Sequence, residues 1–133
     1  MIVLDTHALI WAVSDERNLG RKTRRLIERM WRQSHVAVSA MTFWEVALLQ
    51  ARHRLDLPAP AEEWRSLLLA DGLIELPVTG AIGVRAVELG GLPDDPADRL
   101  IVATALLHRA GLVTADERLL DWKHPLARHD ARA

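Results

Sequence analysis

Residues 95–116 read Asp95-Pro96-Ala97-Asp98-Arg99-Leu100-Ile101-Val102-Ala103-Thr104-Ala105-Leu106-Leu107-His108-Arg109-Ala110-Gly111-Leu112-Val113-Thr114-Ala115-Asp116. Asp95 followed by Pro96 is a capping acid with proline at the first helical position, and Asp98 adds negative charge to the first turn, where the helix dipole favours it. The spacing predicts a helix over Asp95–Ala110 with Gly111 at its C′ position. Leu112-Val113-Thr114 then predicts a short buried strand, and Asp116 falls two residues beyond it. A helix feeding a short, continuously apolar strand is the pattern of a parallel sheet covered on both faces.

The same pattern recurs outward from this stretch. Residues 2–5, 36–39 and 73–76 read as strands. Helices are expected over His7–Val13, residues 20–33, Thr42–Arg54, residues 60–71, Thr79–Leu89 and Asp116–Trp122. Leu26, Ile27, Met30 and Trp31 make the apolar stripe of the second of these helices, with Arg and Lys around the rest. The order β-α-α-β-α-α-β-α-α-β-α implies an α/β fold of three layers, a short central parallel sheet between helices. No repeat or linker interrupts the chain, so residues 1–133 read as a single domain. In such sheets the functional crevice lies beyond the carboxyl ends of the strands.

Composition narrows the classes. Half of the 133 residues are apolar and 26% are charged, ordinary for a globular protein and unlike a disordered chain. No apolar run approaches the roughly 18 residues of a membrane span, so no membrane role is expected. Met1 leads directly into Ile2-Val3-Leu4-Asp5 without a signal-peptide pattern. The absence of Cys excludes disulfides, thiolate catalysis and Cys-ligated zinc, and fits a cytoplasmic location. A net charge of −1 argues against a globally basic RNA-coating protein, while Arg21, Lys22, Arg24, Arg25, Arg29 and Arg32 concentrate positive charge in one segment. Lys123, His124, Arg128, His129 and Arg132 do the same near the end of the sequence.

Four acids fall at strand ends or in first helical turns: Asp5 closes the first strand, Glu45 opens the helix after the second, and Asp98 and Asp116 flank the fourth. Each alone has an ordinary reading as a cap or a solvated helix position. Together, on one edge of a parallel sheet, they repel one another and raise one another's pKa. A hard divalent cation, Mg²⁺ or Mn²⁺, relieves that repulsion, prefers oxygen ligands, and supports hydrolysis at phosphorus. Rival motifs are missing: there is no phosphate-binding glycine loop, no dinucleotide fingerprint, no nucleophile elbow and no His pair at metal-binding spacing. An aspartyl phosphatase needs a second Asp two residues after the first, where His7 stands here.

These blocks resemble the PIN-domain ribonucleases, and more narrowly the VapC-type toxins of type II toxin–antitoxin systems. The resemblance runs from Ile2 to about Trp122. Its blocks are Leu4-Asp5-Thr6-His7-Ala8-Leu9-Ile10-Trp11, Val38-Ser39-Ala40 with Phe43-Trp44-Glu45-Val46-Ala47, Leu76-Pro77-Val78-Thr79, Asp95-Pro96-Ala97-Asp98-Arg99-Leu100-Ile101-Val102-Ala103-Thr104-Ala105, and Val113-Thr114-Ala115-Asp116. It implies a metal-dependent endoribonuclease that acts on structured RNA, such as tRNA or rRNA, leaving a 5′-phosphate and a 3′-hydroxyl. Asp5, Glu45, Asp98 and Asp116 would be the catalytic, metal-binding quartet, with Asp5 and Asp98 the most direct ligands. Thr6 and Thr114 would hold those carboxylates in place. The sequence departs from the family where Ala97 replaces a frequent Phe and where the loop Gly90–Asp94 is short and lacks a His. A final strand is expected only in abbreviated form, near Leu126.

RNA phosphates need cations around an acidic pocket. Arg21, Lys22, Arg25 and Arg99 are the candidates, and no aromatic stacking platform is evident in the sequence. Five Trp beside one Phe and no Tyr is an unusual ratio. Trp11, Trp31 and Trp44 fall on the early helices where the family binds its antitoxin, with Trp44 expected in the core. The resemblance also implies a homodimer. The alternative function is a catalytically silent PIN-fold binding module that scaffolds a complex or regulates its operon with a partner.

Overall fold

The computed structural model describes residues 1–133. Five strands, β1 (Ile2–Leu4), β2 (Val36–Ser39), β3 (Ile74–Leu76), β4 (Gly111–Thr114) and β5 (Arg128–Asp130), form one sheet in the order β3-β2-β1-β4-β5. Every neighbouring pair is parallel. Seven helices connect them: α1 (Thr6–Val13), α2 (Arg21–Arg32), α3 (Ala40–Ala51), α4 (Ala61–Ala70), α5 (Gly80–Glu88), α6 (Pro96–Leu107) and α7 (Glu117–Leu120). None is long and apolar enough to cross a membrane.

The strand period of two divides the interior into two cores. Ile2, Leu4, Val36, Val38 and Val113 face one layer, where Leu9 of α1, Ile27 of α2, Phe43 and Val46 of α3 and Trp64 of α4 pack. Val3, Ala37 and Leu112 face the other, against Ile82 of α5, Ile101 and Val102 of α6, Leu119 of α7 and Trp122. The short central strands β1, β2 and β4 hold because nearly all of their residues are buried; each fully buried Val or Leu contributes roughly 1.5–3 kcal/mol.

Three local expectations are corrected. The helix before β4 ends at Leu107, and the left-handed position is taken by Arg109 (φ 52°), not by Gly111. Gly111 instead starts β4, where a Cβ would lie 3.3 Å from the His129 ring on β5. The helix bearing Glu45 starts at Ala40, capped by Ser39, whose Oγ accepts from Met41 N at 3.1 Å. Glu45 therefore sits in its second turn. The last strand is Arg128–Asp130 rather than a segment at Leu126, and it joins the sheet through backbone bonds such as Ala131 N to Thr114 O at 2.8 Å. A polar edge strand carries no apolar alternation to betray it.

Candidate active site

The carboxyl ends of β1 and β4 and the starts of α1, α6 and α7 converge on one pocket of about 350 Å³. Its wall holds Asp5, Thr6, His7, Trp11, Glu45, Asp95, Asp98, Ala115, Asp116, Arg118 and Arg132. All four predicted acids are present. Parallel strands deliver them: Asp5 follows β1, Asp116 follows β4, and α3 and α6 bring Glu45 and Asp98 over the same edge.

Local bonds set the positions of these acids, although the Asp98 carboxylate itself accepts none and is placed by its helix. Asp5 caps α1, its Oδ1 accepting from Ala8 N at 2.8 Å, and it is buried. Thr6 Oγ1 donates to Glu45 Oε1 at 2.6 Å, tying α1 to α3 across the pocket floor. Thr114 Oγ1 accepts from Asp116 N at 3.0 Å and shapes the turn after β4. Asp95 caps α6 through Ala97 N at 2.9 Å and Asp98 N at 3.2 Å. It also lines the pocket, so its structural and electrostatic roles coincide.

The charge is unbalanced. Burial, then Asp95, Asp116, Glu45 and Asp5 in turn, push the Asp98 carboxyl up to about 7. Burial likewise raises Asp5, against the pull of Thr114 and the Ala8 amide. Burial raises Glu45, against the Thr6 hydroxyl. Asp116 goes the other way because Arg118 forks onto it, Nη2 to Oδ2 at 2.9 Å and Nε to Oδ1 at 3.1 Å. The same Arg118 Nη2 stands 4.0 Å from Asp98 Oδ2.

Hard carboxylate oxygens in excess over cations fit a Mg²⁺- or Mn²⁺-type ion by donor chemistry, and such ions bind through one or two carboxylates while retaining water. No three Asp, Glu or His side chains are gathered into a ready coordination set. Two of the acids are engaged elsewhere, Asp116 with Arg118 and Glu45 with Thr6.

The expected rim cations divide. Arg21, Lys22 and Arg25 line a separate groove between α2 and the β5 edge, together with Arg29, Arg128 and His129. Arg99 is not a rim residue. Its guanidinium donates to Pro93 O at 3.0 Å, Ala86 O and Leu89 O at 2.8 Å and Leu92 O at 3.2 Å, stitching the end of α5 to the following loop. Trp44 is not core; it is 58% exposed and shares an apolar groove with Met41, Leu48 and Pro96 beside Glu45. Sequence reasoning missed Arg118 and Arg132 in the pocket. Arg118 had a signal, since it stands two residues after the capping Asp116; Arg132 belonged only to a generally basic segment. His7 and Trp11 form an edge-on aromatic pair at the wall, with centroids 6.4 Å apart.

Over residues 2–124 the chain matches the PIN domain family model. Ribonuclease VapC22 of Mycobacterium tuberculosis (strain ATCC 25618 / H37Rv) is 34% identical over 125 residues, 93% of each chain. Two solved structures are similar in fold. A toxin–antitoxin complex from Klebsiella pneumoniae has a TM-score of 0.66 at 23% identity, covering 98% of both chains. VapBC2 from Rickettsia felis, bound to a DNA fragment from their promoter, has a TM-score of 0.69 at 18% identity, covering 97% of this chain and 98% of that one.

Proposed function

The chain belongs to the PIN domain family, and from that premise we propose that it is an endoribonuclease toxin, restrained by a cognate antitoxin, that hydrolyses phosphodiester bonds in structured RNA such as tRNA or rRNA. The observation that carries this reading is the gathering of Asp5, Glu45, Asp98 and Asp116 at one sheet edge, with three of the four carboxyls raised by burial. The relationship to a protein named as a ribonuclease supports the same substrate class.

Asp5 and Asp98 would hold a Mg²⁺ or Mn²⁺ ion directly, with Glu45 and Asp116 holding its water ligands. When bound, such an ion lowers the pKa of water and offsets charge on the attacked phosphate. Thr6 fixes the Glu45 oxygen that orients the incoming water. Water oxygen forms the new bond to phosphorus, the bond from phosphorus to O3′ breaks, and a proton passes to that oxygen. The products are a 5′-phosphate and a 3′-hydroxyl. Asp98, raised to about 7 in the ion-free protein, would give up its proton as it takes the ion, so ion binding would release protons near neutral pH.

The antitoxin fits the apolar groove of Ala12, Val13, Ile27, Trp31 and Leu68 between α1, α2 and α4. An amphipathic helix suits such a groove. Flanking RNA phosphates fit Arg21, Lys22 and Arg25 on α2. A homodimer in the cytoplasm completes the reading.

Incubation of the purified protein with mixed tRNA and rRNA, in Mn²⁺, Mg²⁺ or chelator, tests it. Cleavage that needs the ion, yields ligatable 5′-phosphates, and disappears in Asp5→Asn and Asp98→Asn is expected. Cleavage that survives both substitutions contradicts the assignment. Tight RNA or partner binding with no cleavage favours the silent binding module.

A further inference from the structure

Arg132 lines the acidic pocket yet has no carboxylate partner. Five acids share that pocket with it, and none lies within the 4.0 Å of an ion pair to it, whereas Arg118 is committed to Asp116. Two neutral groups hold Arg132 instead. Its Nη1 donates to Ala115 O at 2.9 Å, and its guanidinium carbon lies 5.8 Å from the centroid of the Trp11 ring. A guanidinium has five N–H donors; the donors beyond that single bond have no acceptor within the protein.

The backbone beneath it is tied down. Arg132 N donates to Asp130 Oδ1 at 2.8 Å, Gly20 N to Ala131 O at 2.8 Å, and Thr23 N to Ala133 O at 3.1 Å. A Cβ on Gly20 would run into the backbone of Arg132 and Ala133, so glycine is required for this close approach. A long, flexible cation is thus fixed at the exposed mouth of a pocket whose floor is the buried Asp5. The α2–β5 groove ends at the same strand, with Arg128 and His129 only a few residues before Arg132. Arg128 itself is taken up by the carbonyls of Leu119, Trp122 and His124, which leaves Arg132 as the cation of this segment at the pocket.

We propose that Arg132, oriented by Trp11 and the Ala115 carbonyl, is a substrate-binding residue that takes the phosphate next to the scissile one in the RNA strand. A planar, pre-positioned fork matches two non-bridging phosphate oxygens. An acidic pocket repels a polyanion, and a cation at its mouth offsets that repulsion where the strand enters. The proposal rests on the ribonuclease reading and specifies how that site holds its substrate.

The test compares Arg132→Ala and Arg132→Lys with the parent chain. Binding of labelled mixed tRNA is measured across a salt series in the Asp98→Asn background, and cleavage kinetics in the otherwise native protein. Loss of one phosphate contact lowers the slope of log K against log salt by about 0.7–0.9. Arg132→Ala shows that drop, weakens binding roughly tenfold at low salt, and raises KM in proportion with kcat nearly unchanged. Arg132→Lys keeps the slope while losing the fork, so its binding falls less. An unchanged slope and KM in Arg132→Ala overturns the proposal, as does a fall in kcat or melting temperature with KM constant. If the parent protein cuts RNA while Arg132→Ala behaves identically, only the phosphate subsite fails. If the parent neither binds nor cuts RNA, the ribonuclease reading fails with it.

Discussion

Arg118 lays its guanidinium in a two-bond fork on Asp116, at 2.9 and 3.1 Å, while the same Nη2 stands 4.0 Å from Asp98. One cation thus discharges one of the four acids and leaves the next with a carboxyl near 7. The fork holds Asp116 as an ion and occupies oxygens that the site would otherwise offer to a metal.

Arg118→Ala is expected to raise affinity for Mn²⁺ several-fold, because the acids gain net charge and Asp116 loses its competitor. Calorimetric titration of the metal-free protein checks this. An affinity that falls, with the fold intact, contradicts a competitive role for Arg118. The ion pair itself contributes little to stability, since Arg118 is 63% exposed at the side chain.

Stability of the metal-free protein is expected to fall as pH rises. Between about pH 4 and 7 the folded chain keeps a proton on Asp98 that the unfolded chain has released, so the penalty grows across that window and persists above it. Asp5 and Glu45, also raised, act in the same direction. Asp116 and Glu75 are lowered by Arg118 and Arg65 and are ionised in both states above about pH 5, so they add no slope there. Thermal melts in chelator from pH 5 to 7.5 should show the decline. Asp98→Asn should remove much of it and gain about 1 kcal/mol, some 3–5 °C, at pH 7.5. A melting temperature that rises over the same range contradicts this account.

Arg99→Ala is expected to destabilise the fold by about 2–4 kcal/mol without changing the salt dependence of RNA binding. The side chain satisfies four carbonyls at the end of α5 and in the next loop, and its loss leaves them without a donor. Denaturant unfolding measures the first effect and RNA titration the second. A reduced salt slope with unchanged stability would return Arg99 to the substrate path.

The alternation of short apolar strands with capped helices made the parallel sheet legible, because burial on both faces leaves little choice of residue in β1, β2 and β4. Asp5, Asp98 and Asp116 were legible for the same reason: each follows a strand or a cap whose position the pattern fixes. Glu45 was found one turn too near its helix start, since Ser39 serves both as the last residue of β2 and as a cap. Trp44 was misplaced because its neighbours Phe43 and Val46 are core, while a step of about 100° per residue turns Trp44 outward. The same rotation separates Arg99 from Asp98. Arg132 was illegible because β5 is a polar edge strand, and its approach to Trp11 and Ala115 exists only once the sheet has formed.

The carboxylate cluster as a ribonuclease centre is tested most directly by mapping new 5′-phosphate RNA ends after a short pulse of expression, wild type beside Asp98→Asn. Discrete ends in a tRNA or rRNA, found with wild type and missing with Asp98→Asn, are predicted. Identical ends from both proteins would contradict the account.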